Sequence, residues 1–260
     1  PFLLIDEMGP VDYGPGEALG APWHPHRGFE TVTYLLDGRM RHEDSAGNSG
    51  ELNPGDVQWM TAGRGIIHCE EPHEEFLKTG GRTHGFQIWV NLPSSHKMME
   101  PRYQEVPSTE SPVVEKDGVW ARVIAGECMG TTSSIDTKIP ITLIHVKMKP
   151  ESRLVQKLQE DLNGMIYVFG GGISLENETR VKKSPIAFGI GAKQGIQDGE
   201  LALLSEGEEI VIESQEGAEF LIFAGPELNE PIERYGPFVM NTKEEIHQAF
   251  LDYQNGTLTT

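Results

Sequence analysis

Cysteine is almost missing from this chain: Cys69 and Cys128 are the only two among 260 residues. Two are too few for a disulfide framework and fit a reducing compartment. Positive charge is also short, with 21 lysines and arginines against 40 aspartates and glutamates and a formal charge of −19. That field opposes unaided binding to nucleic-acid phosphates or to anionic lipid, so any nucleic acid would be reached through another protein. No apolar run approaches the roughly 18 residues that a spanning helix requires, and no stretch has the build of a secretory signal. A soluble protein is expected, cytoplasmic or, in a eukaryotic cell, also nuclear, with no membrane partner.

Helical periodicity is scarce as well. The one strong signal lies in the tail, where Thr242 and Glu245 form a capping box ahead of Ile246, Ala249, Phe250 and Tyr253, all on one helical face. What the chain has instead is short strand-like runs cut by Gly, Pro and Asn. Residues 31–36 run into Asp37-Gly38, a hairpin signal, and Asn53-Pro54-Gly55-Asp56 precedes the run Val57–Thr61. The second half repeats the rhythm, with strands expected at 141–148, 165–169, 201–204, 209–212 and 219–223 and a hairpin at Gly170-Gly171-Gly172. This spacing gives an all-β reading: two antiparallel β-barrel (jelly-roll) domains, residues 1–128 and 129–260, the second ending in a short C-terminal helix. The charged stretch 71–82 reads as a solvated loop near the mouth of a site, and His84 as a surface residue.

Two short stretches carry the chemistry, His24-Pro25-His26 and His68-Cys69-Glu70. Side chains alternate along an extended strand, so His24 and His26 share a face, as do His68 and Glu70, with Cys69 turned away. Three imidazoles and a carboxylate suit a divalent transition metal, because calcium and magnesium take mostly oxygen. Four protein ligands around a six-coordinate ion leave two positions open for chemistry. Glu30 competes with Glu70 for the carboxylate position, but Pro25 and Gly28 favour a kink or bulge between His26 and Glu30. Trp23, Phe29 and Trp89 are candidates for an aromatic wall.

These stretches resemble the two motifs of cupin barrels. The first is matched by the H-x-H pair with Glu30 and Gly38. The second is matched by Gly55, Gly63 and His68, with Thr61 where proline is usual and two extra residues before His68. Longer segments are similar to the pirin family: His24-Pro25-His26-Arg27-Gly28-Phe29-Glu30-Thr31-Val32, His42-Glu43-Asp44-Ser45, Ala62-Gly63-Arg64-Gly65-Ile66-Ile67-His68 and Pro237-Phe238-Val239-Met240-Asn241-Thr242. The resemblance implies a bicupin with one metal site, held by His24, His26, His68 and Glu70, and a second barrel without one. In that second half Gln156 and Leu158 fall where the H-x-H pair would repeat. The resemblance also implies Fe(II), with Zn, Mn, Ni or Cu as other candidates. It points to a mononuclear non-haem dioxygenase of the quercetin 2,3-dioxygenase type, acting on a flavonol or similar aromatic compound with Glu70 as catalytic base. Two alternatives stay open. One is an iron-dependent regulatory binding protein, like a transcriptional coregulator, with a protein partner and no catalysis; the other is a structural cupin.

Overall fold

The computed structural model describes residues 1–159, 161–175, 181–182, 195–204 and 207–260. They form two compact units, Pro1–Glu110 together with Leu228–Thr260, and Ser111–Glu227. Both are built of antiparallel strands, so the chain is all-β, with the expected short C-terminal helix. The expected division at 128/129 lies within the second unit. The strand Val119–Ala125 pairs with Val113–Lys116 on one edge and with Thr142–Met148 on the other. The segment 126–134 therefore belongs to a chain reversal inside a sheet and is not a boundary. The tail is likewise counted with the first unit, not the second.

The first unit is a pair of sheets. Strands β1 (Phe2–Tyr13), β3 (Phe29–Asp37), β6 (Val57–Thr61), β8 (Gly81–Asn91) and β9 (Arg102–Val106) form one, in the order β1-β8-β3-β6-β9. Strands β2 (Ala21–His26), β4 (Met40–Asp44), β5 (Ser49–Leu52) and β7 (Ile66–Pro72) form the other, in the order β2-β7-β4-β5. Asp37-Gly38 does not close a hairpin. Both edges of β3 are taken by β6 and β8, so the chain must leave that sheet, and Gly38, at φ 101°, carries it into β4 of the other. Val32, Trp59, Phe86 and Ile88 are fully buried apolar residues of the five-stranded sheet.

The stretch read as a charged loop contains helix α1 (Glu74–Thr79), whose first turn is acidic and whose Nterminal N–H of Glu75 is accepted by the His73 ring. Its single buried residue, Phe76, is too little to show a helical period in the sequence.

In the second unit Ile144, Val146, Ile166, Val168, Phe220 and Ile222 belong to one core. The three glycines expected to make a hairpin lie inside the strand Leu162–Leu175, where the register shifts between Val168 and Gly170. They mark a bulge, the other common use of glycine in a strand.

The tail forms a small hairpin, Glu233–Tyr235 with Phe238–Met240, and then helix α2 (Lys243–Gln254). Its capping box is complete: Thr242 Oγ1 accepts from the Glu245 N–H, and the Glu245 carboxylate accepts from the Thr242 N–H. Ile246 and Ala249 are buried against Phe238, Met240 and Leu258, whereas Tyr253 stays exposed. No helix among the described residues is long and apolar enough to cross a membrane.

Candidate metal centre

Strands β2 and β7 pair antiparallel with His24 opposite His68, so the two histidine-bearing stretches meet across one ladder. Ring centroids lie 4.8 Å apart for His24 and His26, 4.3 Å for His24 and His68, and 4.9 Å for His26 and His68. One ring nitrogen from each lies within 4.8 Å of the other two.

The hydrogen bonds fix which nitrogen is which. His24 Nδ1 lies 2.7 Å from the Pro22 carbonyl oxygen and His26 Nδ1 lies 3.2 Å from that of Pro237. A carbonyl oxygen only accepts, so each Nδ1 carries the proton and each Nε2 keeps a lone pair. His68 reaches the same state by a longer route. Asp44 Oδ2 lies 3.4 Å from His42 Nε2, and His42 Nδ1 lies 3.4 Å from His68 Nδ1. The carboxylate accepts from His42 Nε2–H, and in that tautomer His42 accepts at Nδ1 the hydrogen bond that His68 donates. Its Nε2 is left with a lone pair and is buried without a hydrogen-bond partner. Asp44 is itself held by the Ala46 and Asn48 N–H groups and the Asn48 amide. Burial pushes its pKa up, but the hydrogen bonds from His42 and Asn48 outweigh this and leave it below the usual carboxylate range.

Burial, with the neighbouring His24, pushes the His26 pKa down to about 3. Burial and the other imidazoles hold His68 far below its ordinary value too. Both rings are therefore neutral at pH 7, the state in which an imidazole binds a metal. Three inward lone pairs, one on a buried atom with nothing to bond, fit a divalent transition metal.

Glu70 stands outside this compact group but lines the same cavity. Its Oε1 accepts from Thr33 Oγ1 at 2.7 Å and its Oε2 from Gln87 Nε2 at 2.9 Å. Thr33 and Gln87 are cross-strand partners of β3 and β8, so the five-stranded sheet grips a carboxylate borne by the four-stranded one. Each carboxylate oxygen retains a further lone pair. Glu30 has the opposite parity to Thr33 on β3. It is 0% exposed, accepts from Thr61 Oγ1 at 2.6 Å, sits 4.0 Å from the Arg102 guanidinium and does not line the cavity.

The cavity has a volume of about 600 Å³ and is lined by His24, His26, Glu70, Gln87 and Trp89 with Leu4, Met8, Met40 and Phe76. Of the three expected aromatic walls only Trp89 faces it. Phe29 is fully buried against Trp89, with ring centroids 4.3 Å apart, and Trp23 is 51% exposed outside it. His84 is half-buried, bonds to Glu7 at 2.8 Å and takes no part. Cys69 is buried and bonds to no other cysteine.

Sequence reasoning missed two sets of residues. His42 and Asp44 appeared only as part of a family resemblance, although their alternation on β4 puts them opposite Glu70 and His68 of β7. In the tail, Pro237 and Val239, which also appeared only in that resemblance, hold the loop after His26. The Lys97 ammonium donates to the carbonyls of Gly28 and Val239 at 2.8 and 3.0 Å and to Asn91 Oδ1 at 2.7 Å. Arg27 donates to Asp252 at 2.7 Å and to the Arg64 carbonyl. Gly28 has φ 89°, and a Cβ there would run into the Val239 carbonyl.

Comparison with known proteins adds to this geometry. A family model described as Pirin matches residues 1–90, and one described as Pirin C-terminal cupin domain matches residues 143–259. Pirin of Homo sapiens is 43% identical over 258 residues, covering 98% of this chain and 81% of that protein. A crystal structure of quercetin 2,3-dioxygenase from Acinetobacter baumannii superposes with a TM-score of 0.89 at 36% identity, over 100% of this chain and 86% of that one. A bacterial pirin of Escherichia coli, solved in complex with nickel(II), shares the fold at a TM-score of 0.62 and 21% identity, over 86% and 82% of the two chains.

Proposed function

The chain belongs to the pirin family, and on that premise we propose that it is a mononuclear iron dioxygenase that opens the ring of a flavonol or a similar small aromatic compound. One observation carries the reading: His24, His26 and His68 bring one ring nitrogen each to within 4.8 Å of one another, and His24 and His26 line a largely apolar cavity that Glu70 also lines. His24, His26 and His68 would hold the metal, with Glu70 as fourth ligand. Bound Fe(II) supplies the redox chemistry and the open positions that oxygen activation requires.

The chain's own part is to bind, orient and accept a proton. Trp89, braced from behind by Phe29, gives a flat wall for an aromatic ring. Leu4, Met8 and Phe76 give the cavity apolar lining against which a bound ring would displace water. Confinement in one cavity replaces a chance encounter of reactants by an ordered one. Glu70 takes the proton of the substrate hydroxyl, and Thr33 and Gln87 keep its oxygens aimed.

The test uses protein loaded anaerobically with Fe(II), then given a flavonol and oxygen. Oxygen should be consumed in step with loss of the flavonol chromophore and release of carbon monoxide, and Glu70→Gln should lose nearly all of this. Flavonol binding without oxygen uptake above that of free iron would exclude the dioxygenase. The iron-dependent regulatory binding protein would then be the better reading.

A further inference from the structure

We propose that the second unit contains a binding site for a neutral small molecule carrying a hydroxyl or amide N–H donor, which docks against the side-chain oxygen of Gln156. The strand Ser152–Lys157 alternates, with Ser152, Leu154 and Gln156 buried and Arg153, Val155 and Lys157 exposed. Leu154 belongs to the apolar core, so Gln156 places an amide at an inward position, where it is only 3% exposed.

The hydrogen bonds orient that amide. Gln156 Nε2 donates to the Glu127 carbonyl at 2.9 Å and to the Lys157 carbonyl at 2.7 Å. Both partners are obligate acceptors, so the nitrogen must face them and the oxygen must face away. Gln156 Oε1 is buried and has no partner. Gln156 is one of the residues that line a cavity of about 710 Å³ formed between the segments 126–142 and 155–162 of this unit. That size falls within the usual range for small-molecule sites, about 300 to 1,000 Å³.

The lining selects the ligand. Met129, Ile135, Ile141 and Leu158 offer an apolar bed. The charged lining residues, Glu127 and Lys157, are exposed. A charged ligand would shed its hydration there with no buried counter-charge, whereas a neutral one with a single donor satisfies the one fixed acceptor. Gln156 and Leu158 are the residues that fall, by sequence, where a histidine pair would repeat. An amide and an aliphatic side chain bring no imidazole lone pair, so the ligand is an organic molecule and not a metal.

The probes are p-cresol and p-xylene, which differ in shape only by hydroxyl against methyl, titrated into the full chain labelled with ¹³C at methionine methyls. Met129 lines this cavity, while Met8 and Met40 line the cavity of the first unit, so one spectrum reports both. At Met129, p-cresol should bind about tenfold more tightly than p-xylene, the worth of one good hydrogen bond. Gln156→Leu should abolish the difference. Equal affinity of the two probes at Met129, no shift of Met129 up to the solubility limit, or a p-cresol effect confined to Met8 and Met40 would each overturn the site. Because the comparison is complete in the unaltered protein, it stands even if the variant fails to fold.

Discussion

Which nitrogen of His68 is left with a lone pair is decided by two side chains outside the three-histidine group. Asp44 orders His42, and His42 accepts the hydrogen bond of His68 Nδ1–H. Such outer partners are commonly worth 10- to 100-fold in metal affinity. His42→Phe should therefore weaken Fe(II) or Zn(II) binding by about that factor without loss of fold, and the ¹⁵N spectrum of the metal-free variant should show His68 as a mixture of tautomers. Unchanged affinity together with a single tautomer would remove His42 from the site. The pairing of His24 and His26 with His68 was legible because alternation along a strand is strict. His42 was not, since a lone histidine two residues before an aspartate is common and only its register against β7 gives it meaning.

The loop between β2 and β3 is held from elements distant in sequence. Lys97 has its ammonium buried among oxygens of Gly28, Asn91 and Val239. Burial lowers its pKa from the usual 10.5 to about 8, against the pull of Glu230 and Glu245. Because the folded pKa is the lower one, the unfolded chain binds more protons between pH 8 and 10.5, and folding becomes easier as pH rises through that window. Relative to Lys97→Met, the unaltered protein should gain up to about 3 kcal/mol of stability from pH 8 to 10.5, read from denaturant melts at each pH. A flat difference would place the lysine in water. None of this staple was readable from the sequence, since no local pattern marks residue 97 as a partner of residues 28 and 239. Helix α1 was lost for another reason, because six residues with one buried side chain carry no period. The Asp37-Gly38 turn was seen but assigned to the wrong partner, since turn chemistry fixes where the chain bends and not which sheet receives it.

Across the whole chain, the candidate metal group belongs to one of the two units, and among the described residues the other has no such cluster. A ligand that binds one folded unit stabilises that unit by mass action, about 2.7 kcal/mol at a hundred times its dissociation constant. Metal should accordingly raise the unfolding midpoint reported by Trp59 and Trp89 of the first unit, and a chelator should reverse the shift. A Trp120 reporter in the second unit should move little. Equal shifts at all reporters would mean the two units melt as one. The first unit is also discontinuous along the chain, and this bears on how the protein is made. His26 takes its backbone partner from Pro237, 211 residues further on. Synthesis proceeds from the N-terminus, so the residues of the second unit leave the ribosome before that partner has been translated. The His26 imidazole emerges early and waits unanchored until the stretch that contains Pro237, which also lines the cavity, has been made. Metal retention should thus depend on the stretch that contains Pro237, and a nascent chain arrested at residue 227 should emerge with its histidines in place and a weaker hold on a metal ion.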